Sequence, residues 1–148
     1  MKHLPALAFL VLLSTTPAMA VDTVQPVDQP DVDGIRAKIS AGDYRGAIDE
    51  LKGLIDRGVL NADVYNLLGY SLRKSGDLRS ALTFYRKALD FEPNHRGALE
   101  YSGELYLQMG DLDHARRNVS LLQQICPQGC EELTDLQRSI DRASMKMK

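Results

Sequence analysis

The chain lacks any excess of positive charge. Its 18 Lys and Arg face 20 Asp and Glu, for a formal net charge of −2. That argues against a dedicated nucleic-acid binder, whose phosphate contacts need clustered Lys and Arg. There is no tryptophan, and aromatic residues make up only 6% of the chain. Beyond residue 20 no stretch is apolar over the length a bilayer span requires, about 20 residues. A Gly-rich phosphate loop is absent, and no serine is flanked as in a nucleophile elbow. Of the three histidines, His3 leaves with residues 1–20, and neither His95 nor His114 has a second ligand or an Asp partner at helical spacing that suggests catalysis. They are expected to be exposed helix residues with neither metal nor catalytic work. No cofactor and no metal site is expected.

What is present begins with residues 1–20. Met1-Lys2-His3 is a short positive start, Leu4 to Leu13 is apolar apart from Pro5, and Ala18-Met19-Ala20 has the small-x-small pattern of a cleavage site. This is the layout of a secretory signal peptide. The mature chain would start at Val21, with no cysteine at the cleavage point for a lipid anchor and no twin-arginine signal. A soluble exported protein is expected, in the bacterial periplasm, with no membrane insertion after signal cleavage. Residues 21–31, VDTVQPVDQPD, carry two prolines, three acidic residues and no helical period, which predicts a flexible acidic leader.

From residue 32 a helical period sets in. Ile35 and Ile39 precede Gly42. Asp43 is a candidate N-cap for a helix carrying Ala47, Ile48, Leu51, Leu54 and Ile55 on one face, with Gly58 as its stop. Asn61 then caps a helix with Val64, Tyr65, Leu68 and Leu72. Gly76-Asp77 turns into another with Leu78, Ala81, Leu82, Tyr85, Ala88 and Leu89, ended by Pro93. A third pair has Leu99, Gly103 and Tyr106, the turn Gly110-Asp111, then Leu112, Ala115, Val119 and Leu122, ended by Pro127.

The pattern recurs every 34 residues: Gly42, Gly76, Gly110; Asp43, Asp77, Asp111; Ala47, Ala81, Ala115; Gly69 and Gly103; Pro93 and Pro127. Neither helix of such a pair can bury its apolar face alone, so stacking must supply the core. The small residues mark close helix crossings. The fold class expected is all-α, a solenoid of about three helix-turn-helix units over residues 32–145, with repeats near 28–61 (degenerate), 62–95 and 96–129. A last helix near residues 130–143, with Leu133, Leu136 and Ile140 on one side, reads as a cap showing water a polar outer face, and Ser144 to Lys148 as a frayed basic end.

Here the chain resembles the tetratricopeptide repeat family. Tyr65, Leu68-Gly69, Leu72, Ala81, Tyr85, Ala88 and Pro93 match its signature; the next unit matches less well, with Ser102 in place of Leu. The resemblance implies a concave groove lined by the first helix of each pair. Facing it would be Asp63, Asn66, Leu67, Tyr70, Arg73 and Lys74, then Glu100, Tyr101, Glu104, Leu107 and Gln108, with Arg36 or Ala37 from the first unit. Tyr, Leu and mixed charge suit recognition of a protein or peptide segment. Some family members clamp a C-terminal carboxylate. Glu100 and Glu104 oppose that, so no clamp is expected and a basic or mixed-charge segment fits better.

Cys126 and Cys130 lie beyond the export barrier, with Pro127 and Gly129 breaking the helix between them. A disulfide clasping the last repeat to its cap is expected, with a modest entropic gain of about 2 kcal/mol. Two alternatives of another class remain at this point: thiol-disulfide or metal handling at this pair, and self-assembly through the open ends of the stack. Asn118-Val119-Ser120 is a glycosylation triplet inside a predicted helix and is discounted. The leading expectation is a non-enzymatic interaction module.

Overall fold

The computed structural model of the protein describes residues 32–146. The expected signal peptide, residues 1–20, and leader, residues 21–31, lie outside them. Among the described residues there are seven helices and no strand: α1 (Asp33–Ser40), α2 (Tyr44–Asp56), α3 (Ala62–Lys74), α4 (Leu78–Phe91), α5 (Arg96–Gln108), α6 (Leu112–Ile125) and α7 (Glu131–Lys146). Each packs on the next, and α3, α5 and α7 also touch in succession. The odd-numbered helices form an inner row and the even-numbered ones an outer row. The fold is an all-α solenoid.

One turn is built three times. At Gly76 the backbone adopts φ +96°, which a Cβ would disfavour. That lets Asp77 N–H reach back to the Leu72 carbonyl at 2.9 Å and close α3 in a Schellman motif. The Asp77 carboxylate then accepts from Ser80 N–H at 3.1 Å and opens α4. Asp43 and Asp111 cap α2 and α6 in the same way, at 2.9 and 3.1 Å. Asn61 caps α3 through Val64 N–H at 2.8 Å. These caps satisfy donors that a helix start leaves without partners.

The crossings explain the small residues. A Cβ on Gly69 would come within 2.8 Å of the Tyr85 ring, and one on Gly103 within 2.6 Å of Leu136. Ala47, Ala81 and Ala115 are fully buried. Tyr85 fills the N-terminal core with Leu51, Leu68 and Leu72, while Leu99, Leu122, Leu133 and Leu136 form a second cluster. Ser102, the departure from the repeat signature, pairs with Asn118: its amide donates to Ser102 Oγ and to the Leu99 carbonyl, both at 2.8 Å. The Asn118 amide is therefore a core hydrogen-bond donor.

The last helix differs from expectation. It continues to Lys146, so Ser144 to Lys146 do not fray. It is also in register with the repeats: Leu133, Leu136 and Ile140 stand 34 residues after Leu99, Ser102 and Tyr106. Thus α7 caps the stack as a fourth inner-row helix, and no outer helix follows it among the described residues. Gln137 occupies the position held by Gly69 and Gly103, so the close crossing an outer helix would need is filled. Cys126 and Cys130 are bonded to each other in the α6–α7 turn.

Candidate functional site

The inner row encloses a groove of about 520 Å³, lined from α1, α3, α5 and α7. Its floor repeats with the fold. Asp63, Gly97 and Glu131 occupy equivalent positions, as do Leu67, Tyr101 and Asp135, and Asn66 is equivalent to Glu100. From α1 it is Arg36, with Ile39 and Ser40, and not Ala37, that lines the groove. The uncertainty at that unit arose from a turn one residue shorter than in the next repeat.

Of the eleven residues expected above to face the groove from α3 and α5, six line it: Asp63, Asn66, Leu67, Tyr70, Glu100 and Tyr101. Arg73, Glu104 and Gln108 line a separate depression further along the same helices, with Ser139 and Arg142 of α7. Lys74 lines neither; its ammonium lies 6.0 Å from the Tyr44 ring and 5.9 Å from the Tyr70 ring. Arg73 is not a free groove cation. It is buried, pairs with Glu104 at 2.8 Å, and lies 5.4 and 5.9 Å from the Tyr70 and Tyr101 rings. Those two rings meet with centroids 4.9 Å apart. One guanidinium thus holds the aromatic pair and neutralises Glu104.

Two polar side chains in the groove are left without protein partners. Asn66 is 6% exposed, and its Oδ1 accepts no hydrogen bond. Gly97 keeps the space beside it open, since a Cβ there would stand 3.2 Å from Asn66 Nδ2. Glu100 is 9% exposed. Burial pushes its carboxyl up to about 8, helped by Glu104, Asp135 and Glu132 and opposed by Arg73. Burial likewise pushes the Tyr101 hydroxyl up to about 12.

His95 overturns the expectation of an exposed helix residue. Its side chain is 12% exposed and ties two repeats together. Nδ1 accepts from Ala98 N–H at 3.0 Å, capping α5. Nε2 therefore carries the proton and donates to Asp63 at 3.1 Å. Asp63 also meets Arg36 at 3.9 Å. The partner lies 32 residues away, so a search at helical spacing does not find it. His114 pairs with its own cap, Asp111, and stacks on Tyr106. Glu131, Glu132 and Asp135, among the polar residues of the helix expected to show water its outer face, line the groove; the 34-residue register of α7 is the signal that finds them. No group of three or more His, Cys, Asp or Glu among the described residues could hold a metal ion. No described helix is long and apolar enough to cross a membrane.

Residues 62–95 match the family model of the tetratricopeptide repeat. A probable biofilm formation methyltransferase of Pseudomonas putida, WspC, is 38% identical over 84 residues, 57% of this chain and 20% of that protein. Cellulose synthase 2 operon protein C of Komagataeibacter xylinus is 33% identical over 98 residues, 66% of this chain and 8% of that protein. The uncharacterized protein ycf37 of Pyropia yezoensis is 32% identical over 62 residues, 42% of this chain and 35% of that one. The chain therefore spans about a third or less of these relatives. Among solved structures, the translocator chaperone SycD of Yersinia enterocolitica superposes with a TM-score of 0.68 at 18% identity, covering 78% of this chain and 90% of that one. PcrH, in complex with the chaperone binding region of PopD, gives 0.63 at 18% identity, covering 79% and 93%. At that identity the likeness is one of fold.

Proposed function

We propose that this chain, with a tetratricopeptide repeat at residues 62–95, is a non-enzymatic interaction module that holds a segment of another protein in its inner groove. The observation that carries this reading is the pairing of Asn66 and Glu100: two equivalent positions on successive inner helices, both buried, both without a protein partner, flanked by the Tyr70–Tyr101 pair. A buried amide oxygen left unbonded is costly, and a partner's backbone N–H would satisfy it. The tyrosines supply rigid contact area beside it. PcrH in its complex with a region of PopD is a precedent for segment binding on this fold. An exported, envelope location follows from the reading of residues 1–20 as a signal peptide. The Cys126–Cys130 bond acts as a staple between α6 and α7, consistent with that compartment.

Site-specific photo-crosslinking in the producing cell's envelope tests the reading. A photoreactive residue at Tyr70 is expected to trap a discrete protein adduct. The same residue at Arg86, exposed on outer helix α4, is expected to trap none. Adducts from position 86 alone overturn the groove assignment.

A further inference from the structure

We propose that the groove is selective for a segment bearing a basic side chain, whose cation sits among Glu100, Glu132 and Asp135. The inference rests on the groove being the segment-binding face and adds the chemistry of the occupant.

The first support is a charge count. Five carboxylates line the groove, against one guanidinium and one histidine. Both of those positive or polar groups are committed: Arg36 and His95 each contact Asp63, at 3.9 and 3.1 Å. Arg73, whose charge also acts on Glu100, is engaged by Glu104 at 2.8 Å. Arg96 approaches Glu132 only at 3.6 Å and is half-exposed. Asp135 has Arg138, a neighbour on its own helix, at 2.8 Å. Glu100 has no ion pair or hydrogen bond of its own, although it is nine-tenths buried.

The second support is independent of charge. Asn66, one repeat before Glu100, presents an amide with no acceptor or donor partner into the same groove. An extended chain bonded there by its backbone sends alternate side chains to the same side. One of them reaches the inner face of α5 and α7, where the carboxylates are. Glu100, held up to about 8 by burial and by Glu104, Asp135 and Glu132, is largely protonated at neutral pH when the groove is empty. A cation beside it favours the ionised form, so binding releases a proton. Affinity for a basic segment must therefore rise as pH climbs toward and past 8, until the ligand's own amine titrates.

The probe is a library of N-acetylated, C-amidated decapeptides with one central position fixed as Lys, Arg, norleucine or Glu, offered to the immobilised mature chain. At about pH 8.5 the Lys and Arg pools are expected to be retained about tenfold over norleucine, a difference of about 1.4 kcal/mol, and this ratio shrinks at about pH 6. Glu100→Gln with Asp135→Asn is expected to abolish the preference, while Asp90→Asn on α4 leaves it intact. If the double variant does not fold, the wild-type pools decide: equal retention of the Lys, Arg and norleucine pools at about pH 8.5 overturns the proposal. Equal retention of norleucine pools, lost in Tyr70→Ala, removes the charge selectivity but leaves the groove as a segment-binding face. No retention of any pool, or retention indifferent to Tyr70→Ala and Tyr101→Ala, removes both.

Discussion

The central repeat, residues 62–95, and its successor, residues 96–129, share turn, cap and crossing positions but close their cores with different chemistry. In the first, Leu68 and Phe84 are apolar and Tyr85 is fully buried against Gly69. In the second, the equivalent residues are Ser102, Asn118 and Val119. Ser102 and Asn118 bond to each other, and the volume Val119 does not fill is taken by Leu136 from α7, against Gly103. The departures come in compensating sets. Ser102 Oγ donates to the Ala98 carbonyl of its own helix at 2.6 Å, and with Asn118 opposite its oxygen also accepts a hydrogen bond. The successor is thus shaped to receive α7 as well as its own outer helix.

Truncation of the large core residues sharpens the contrast most. Tyr85→Ala is expected to cost about 4 kcal/mol and Leu136→Ala about 3, as buried large-to-small changes do. Val119→Ala, in Tyr85's own repeat position, should cost only about 1 kcal/mol. Urea denaturation measures all three. A Val119→Ala cost matching that of Tyr85→Ala would mean the volume has not passed to α7.

The polar pair comes next. Asn118→Ala removes the donor to Ser102 and to the Leu99 carbonyl and should cost about 2 kcal/mol. Ser102→Leu alone sets an apolar side chain against the Asn118 amide and is also destabilising. Ser102→Leu with Asn118→Phe restores the central repeat's pairing, and a favourable coupling of about 1 kcal/mol or more is expected. Strict additivity in that double-mutant cycle would break the argument that the two positions changed together.

The crossings differ more subtly. Alanine for glycine in a helix gains about 1 kcal/mol in propensity, and overpacking costs about 1–3 kcal/mol. At Gly69 the neighbour is a rigid, buried ring, so Gly69→Ala should be net destabilising by about 1–2 kcal/mol. At Gly103 the nearest atoms are the methyls of Leu136, which can rotate aside, so Gly103→Ala should fall within about 0.5 kcal/mol of wild type. Equal costs would show that both crossings are equally tight.

The legible part of the fold was whatever recurs. Gly42, Gly76 and Gly110, the aspartate caps and the alanine crossings announced the stack because each does a local job that a fixed spacing reveals. The site was harder. Asn66, Tyr70, Glu100 and Tyr101 were found because they sit on the inner helices of the two clearest units. Arg73 was misjudged, since its pairing with Glu104 spans two repeats and nothing in the sequence tells a paired cation from a free one. Glu131, Glu132 and Asp135 were misassigned for a different reason. Their helix has no outer partner among the described residues and caps the stack, yet its apolar residues keep the register and turn these carboxylates to the groove.

The mildest test concerns the entrance to the two repeats. Asn61 opens the central one with a simple amide cap, whereas His95 opens its successor and also reaches back to Asp63. The cap and the tie can be separated. His95→Ala removes both and should cost about 1 kcal/mol, the usual value of a lost cap. His95→Asn restores an acceptor for Ala98 N–H, as at Asn61, but is too short to reach Asp63. Asp63 is more than half exposed, and contacts to such a carboxylate contribute little. His95→Asn should therefore lie within about 0.3 kcal/mol of wild type in thermal or urea unfolding. If it is instead as damaging as His95→Ala, the stabilisation resides in the link between repeats. The junction would then be a coupling element where the central repeat has only a helix start.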